Sequence, residues 1–279
     1  MMIALHNLAT AHSNLITSIR IARETGYAGV EIDGVKLKRY LAQGFSLASL
    51  RPLLKDLPPV GLSYVQDIER QEPREYQSLL DECETVCALA EQLDCPMVQL
   101  LTGPLNPNGA YKGLTGKPWA EMRKLTAKNL RALAEIGRAH HVRFYLEALT
   151  FTPLGRLDRQ IELLEETACE NVGLVLDFYH LWGGGARPDE IARLDKDRIF
   201  CVDFCDSLDE FGGGGDVEQR GRDVWTGGGR IPLKEWVDAV KATKFDGTWR
   251  CELLSPKYWE LDPWTTARDL RIFLEYLLA

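Results

Sequence analysis

IFCVDFCDS (199–207) is a short apolar run with a carboxylate at its centre, Asp203, and a second, Asp206, close behind. A buried aspartate without a partner is costly, so a chain that keeps one usually gives it a metal, a cation or a proton to handle. The run is one of eight. The others are IALHNL (3–8), AGVEID (28–33), VGLSYV (60–65), PMVQLL (96–101), VRFYLEAL (142–149), VGLVLD (172–177) and TWRCELL (248–254). Between them, apolar residues recur at the 3.6-residue spacing of amphipathic helices over 15–25, 75–93, 119–140, 156–167, 232–243 and 264–278.

Eight strands alternating with helices predict an α/β protein, a single (β/α)8 TIM barrel forming one domain over 1–279. A doubly wound sheet would place a glycine-rich phosphate loop after its first strand. The corresponding segment, HNLATAH (6–12), has no glycine. Glycine runs come late instead, at 183–185, 212–215 and 227–229. They follow the sixth and seventh strands, where a barrel carries its active-site loops, and are expected to be mobile loop pieces.

Composition narrows the partner. Net charge is −8 with no basic stripe, which argues against nucleic acid and leaves a small molecule. No apolar run reaches transmembrane length, and the N-terminus lacks the pattern of a signal peptide. Seven cysteines, odd in number and mostly inside apolar segments, suggest reduced thiols in a cytoplasm.

Barrel enzymes keep their chemistry at the C-terminal ends of the strands. There the fifth strand offers Glu147, the sixth Asp177, the seventh Asp203 and the eighth Glu252. Singly, each would pass for a salt-bridged or capping residue. Four on consecutive strands repel one another and call for a cation, most simply a divalent metal. Period-2 alternation turns Cys201, Asp203 and Cys205 to one side and Phe200, Val202 and Phe204 to the other, so Asp203 points into the barrel. The same alternation groups Glu147 with Tyr145 and Glu252 with Arg250. His180 follows the sixth-strand carboxylate by three residues and is expected in the loop above it.

NVGLVLDFYHLW (171–182), IFCVDFCDSLDEF (199–211), GRDVWTGGGRIPL (221–233) and WRCELLSPKYWEL (249–261) resemble the inosose isomerase group of the xylose-isomerase-like sugar isomerase and epimerase superfamily. The resemblance covers nearly the whole chain and is strongest from about residue 142 onward. It implies a divalent metal held by Glu147, Asp177, Asp203 and Glu252. Asp203 stands where the family usually has histidine, so the donor set is all oxygen and favours Mn2+ or Mg2+ over Zn2+ or Co2+. Four negative charges then surround one ion. One carboxylate is expected to be protonated, displaced from the ion, or paired with a base such as Arg222 or Arg250. The Arg222–Asp223 order also reverses the family's usual Asp–Arg.

The resemblance implies isomerisation or epimerisation of a sugar or cyclitol ketone, an inosose or ketose, through a metal-bound cis-enediolate. Glu147 and Glu252 would be the acid–base pair and His180 a proton shuttle. Arg222 and His6 would hold substrate oxygens; Trp182 and Tyr258, with Trp225 and Trp259, would wall the polyol ring. Two rivals stand beside this reading. One is a dehydratase on the same scaffold, of inosose or dehydroshikimate type; the other is a sugar-binding protein whose metal site Asp203 has disabled. Relatives are often dimers or tetramers, which leaves a homo-oligomer open.

Overall fold

The computed structural model describes residues 1–105, 111–114, 116–213 and 218–279. Eight parallel strands close into a barrel in chain order: β1 (Met2–Leu5), β2 (Gly29–Asp33), β3 (Pro59–Val65), β4 (Met97–Leu101), β5 (Arg143–Glu147), β6 (Val172–Asp177), β7 (Ile199–Phe204) and β8 (Thr248–Cys251). β1 pairs with both β2 and β8, which removes every sheet edge. Every residue of β4, β6 and β7 is buried, as expected of parallel strands covered on both faces.

Six helices stand where the apolar spacing predicts them, with ends shifted by no more than two residues: Leu15–Glu24, Pro73–Gln92, Trp119–Ala139, Leu157–Thr167, Leu233–Ala242 and Pro263–Leu278. Trp119–Ala139 shows the cause: Leu130, Leu133, Ala134 and Gly137 form one buried stripe. A seventh helix, Gly34–Ala42, follows β2 without a loop because the Asp33 side chain caps it, accepting from the Val35 and Lys36 amides at 2.8 and 2.9 Å. Its short buried face left little periodicity to read.

Three predicted strands end early. β1 stops at Leu5, where His6 caps a one-turn helix over Asn7–Thr10, its Nδ1 accepting from the Leu8 amide at 3.2 Å. β5 stops at Glu147 and β8 at Cys251. His6, Glu147 and Glu252 therefore all stand at strand ends.

Two expectations are corrected. Phe200 does not face the helix layer with Val202 and Phe204. The β6–β7 register slips, Leu174 pairing with Ile199 but Val175 with Cys201, so Phe200 is the extra residue. It turns in with Met97, Tyr145, Val175 and Cys201, while Phe204 packs outward on Phe178 and Phe273. Nor are Gly183 and Gly184 mobile pieces. A Cβ at Gly184 would lie 2.1 Å from the Gly155 carbonyl oxygen, and one at Gly183 would lie 2.6 Å from Thr150, so both glycines permit close packing. Part of the 212–215 run, residues 214 and 215, lies outside the described residues.

Candidate active site

At the C-terminal face of the barrel a cavity of about 410 Å3 is lined by His6, Gln99, Glu147, Arg222 and Glu252, among others. Lys36 and Arg39 from Gly34–Ala42, and Ser63 and Tyr64 from β3, complete much of the opposite wall. Asp177, His180 and Asp203 lie just beneath this lining, all buried.

The fifth- and sixth-strand residues form one cluster. Glu147 accepts from the Gln99 side-chain amide and lies 3.3 Å from His180 Nε2. His180 is not in a loop: it belongs to the short helix Phe178–Gly183, capped by Asp177, whose Oδ1 accepts from the His180 amide at 2.8 Å. Its Nδ1 accepts from the Thr150 amide at 3.3 Å, and its Nε2 faces Glu147 at 3.3 Å and Arg222 Nη1 at 3.5 Å. Burial disfavours the imidazolium, but Asp177 and Glu147 outweigh it and raise the His180 pKa.

Arg222 ties that cluster to β8. Its Nη2 lies 3.3 Å from Asp177 Oδ2 and also contacts Glu252 Oε2, and its guanidinium carbon stands 4.7 Å over the Tyr179 ring. The two carboxyls it bridges part company. Burial pushes Glu252 well above the usual range, against the pull of Arg222 and with help from Asp177 and Asp203. At Asp177 burial pushes the same way, but Arg222 and His180 overcome it and hold the group below its ordinary value. The pair is thus driven apart, Glu252 upward and Asp177 downward.

The barrel floor answers the question raised by Asp203. Arg250 donates to both of its oxygens, Nε to Oδ1 at 2.6 Å and Nη2 to Oδ2 at 2.5 Å. The same guanidinium reaches Glu31 on β2 through Nη1 and stacks 4.4 Å over Tyr145, whose hydroxyl also donates to Glu31 at 2.6 Å. His6 Nε2 lies 3.1 Å from Glu31. Burial nevertheless pushes Asp203 up to about 6, with Arg250 and His6 pulling the other way. Of the outcomes open to the fourth carboxylate, pairing with Arg250 is the one the structure adopts.

Asp206, the second acid of the opening stretch, has a different task. It accepts from the Ser207, Gly227, Gly229 and Ile231 amides at 2.8–3.2 Å, holding the loop after β7 closed upon itself.

Among the described residues, three sets of donors have their atoms within 4.8 Å of one another: Glu147–Asp177–His180, Asp177–Cys205–Glu252 and His6–Asp203–Glu252. Asp177 belongs to two of them. Its neighbours include two glutamates and an imidazole, a donor chemistry that suits a divalent cation. Asp203 stands in the third set, with Arg250 holding both of its oxygens.

The predicted aromatic wall is not where it was expected. Trp182 donates Nε1 to the Asp209 carbonyl and packs on Phe211, while Tyr258 packs on Trp225; neither Trp182 nor Tyr258 is part of the cavity lining. Glu31 and Gln99 escape the sequence reading, and Tyr145 enters it only as sharing a face with Glu147. Each is a polar or hydroxyl-bearing side chain inside an apolar strand, the signal that singled out Asp203.

The sequence profile of the xylose isomerase-like TIM barrel family matches residues 19–276. An inosose isomerase of Halalkalibacterium halodurans is 24% identical over 277 residues, spanning 96% of this chain and 94% of that one. A 3-dehydroshikimate dehydratase of Bacillus anthracis is 24% identical over 173 residues, 61% of this chain and 58% of that one. Among solved structures, the IOLI protein with a binding zinc atom superposes with a TM-score of 0.89 at 21% identity, covering 100% of this chain and 98% of the other. The barrel, the polar strand ends and these likenesses agree: the chain belongs to the xylose isomerase-like TIM barrel family.

Proposed function

We propose that the whole chain acts as one domain, a cytoplasmic isomerase or epimerase of a sugar or cyclitol ketone, with Glu147 and Glu252 moving the proton. The observation that carries this reading is the placement of the two glutamates. Both line one cavity, at the end of β5 and just past β8, and burial raises the Glu252 pKa. Glu147, oriented by Gln99 and His180, is the base that removes the proton beside the substrate carbonyl. Glu252 is the acid that returns one. Delivery to the former carbonyl carbon, with the proton of the neighbouring hydroxyl passing to the old carbonyl oxygen, isomerises the ketone; delivery to the same carbon from the opposite face epimerises it.

A divalent ion, Mn2+ or Mg2+ by the oxygen-rich donors, would be held by Asp177 with Glu147, His180 and Glu252, and would supply positive charge beside the carbonyl oxygen as negative charge develops there. His180 steadies the charge on Glu147, and Arg222 presents its guanidinium to substrate oxygens at the cavity wall. The buried Glu31–Arg250–Asp203 chain fixes the floor on which His6 stands. Similarity to inosose isomerases supports an inosose as the first substrate to try.

The test is incubation of Mn2+-loaded protein with a panel of inososes and ketohexoses, products being resolved by chromatography. Formation of an isomer or epimer that Glu147→Gln does not form is the expected result. Appearance of a conjugated carbonyl in the ultraviolet would instead establish a dehydratase, the reading that the dehydroshikimate dehydratase relative supports. Binding of a polyol with no conversion would leave a binding protein.

A further inference from the structure

We propose that Arg222 is the resident cation of this site: its guanidinium and a divalent ion claim the same two carboxylates, Asp177 and Glu252, and exclude one another. The proposal rests on reading the site as a cation-assisted proton-transfer centre, but it concerns what neutralises the carboxylates before any substrate arrives.

The geometry is that of substitution. One guanidinium nitrogen, Nη2, touches an oxygen of Asp177 at 3.3 Å and an oxygen of Glu252. These residues, with Cys205, have donor atoms within 4.8 Å of one another, the spacing of ligands around a single ion. The other terminal nitrogen, Nη1, lies 3.5 Å from His180 Nε2, and His180 belongs to the adjoining donor set with Glu147 and Asp177. A guanidinium that reaches the shared acid of two donor sets and a member of each stands where an ion would meet them.

Burial makes the exclusion consequential. Arg222 has 3% of its side chain exposed, and Asp177 and Glu252 are equally enclosed. Two carboxyls this close in a dry site need a cation or a shared proton, and the chain supplies Arg222. An incoming ion gains the two carboxylates only by breaking contacts the guanidinium already makes. Its apparent affinity is lowered by that exchange. The released guanidinium still lies at the cavity wall, where substrate oxygens would become its partners. Arg250 engages Asp203, so the two arginines hold Asp177, Glu252 and Asp203 between them and leave Glu147 with Gln99 and His180.

The experiment is calorimetric titration of chelator-treated full-length protein with MnCl2, wild type beside Arg222→Gln and Arg222→Lys. Removing the guanidinium should tighten Mn2+ binding by about tenfold or more in Arg222→Gln, with Arg222→Lys between it and wild type. A folded Arg222→Gln that binds Mn2+ no more tightly than wild type, or no binding by either protein, overturns the proposal. Should Arg222→Gln lose its fold without metal, circular dichroism takes over: recovery of the wild-type spectrum and melting on adding Mn2+ supports the exchange, and no recovery overturns it. The readout is ion binding, so failure here leaves the proton-transfer reading to be decided by conversion of substrate.

Discussion

Asp203 and Arg250 are register partners on adjacent strands β7 and β8, and the guanidinium of one grips both oxygens of the other inside the barrel. Strand pairing thus places the cation opposite the acid, and Glu31 on β2 completes a carboxylate–guanidinium–carboxylate chain across the barrel interior. Removing one partner of such a buried network exposes the others to the full cost of unpaired burial. Arg250→Met is expected to lose about 3–5 kcal/mol of stability, read from the urea midpoint. Adding Asp203→Asn to it should cost less than the two single changes summed. Strict additivity would show that the pair is not coupled.

Glu69 gives the fold a pH dependence away from the site. It is buried, accepts from the Gly103 amide, and burial pushes its pKa from 4.5 up to about 8. A folded pKa above the unfolded one means that the unfolded chain gives up this proton first as pH rises. The stability from this group is therefore complete below pH 4.5 and is lost on the way to about pH 8. The slope across that window is about 1.4 kcal/mol per pH unit. Glu69→Gln should remove that slope from urea-unfolding curves taken across this range. An unchanged slope would show that Glu69 is ionised in the fold.

Glu147→Gln keeps the size of the side chain and its place beside Gln99 and His180 but removes the carboxylate proposed as the base. Turnover is expected to fall by about 100-fold to 10,000-fold with the melting temperature little changed. A variant that retains wild-type turnover would move the base elsewhere.

Trp182 and Tyr258 are engaged with Phe211 and Trp225 rather than with the cavity. Trp182→Phe and Tyr258→Leu should therefore leave KM unchanged while lowering thermal stability. A rise in KM for either variant would return that ring to the substrate.

Much of this was legible because it follows from period and position. Eight apolar runs separated by 3.6-residue patterns specify the barrel, and an acid near the C-terminal end of a strand specifies a side chain near the cavity, as Glu147 and Glu252 show. What escaped needed information from elsewhere in the chain. The inward turn of Phe200 depends on a one-residue slip against β6 that leaves no mark in β7 itself. The pairing of Asp203 with Arg250 depends on the β7–β8 register, so the sequence offered Arg250 as one partner among others. His180 lies in a helix rather than a loop because Asp177 caps it through Oδ1, a local bond that leaves Oδ2 toward Arg222. The late aromatic residues were assigned by proximity in sequence, and proximity does not fix which way a loop ring turns.

Removal by Glu147 of a proton from the carbon beside a substrate carbonyl is the step on which the proposed activity depends. Its most direct test is incubation of an inosose or ketose with Mn2+-loaded protein in D2O, followed by NMR of the recovered sugar, with Glu147→Gln in parallel. Deuterium is expected at that carbon with the wild-type protein and none above the no-enzyme control with the variant. Conversion without deuterium, or equal incorporation by both proteins, would contradict it.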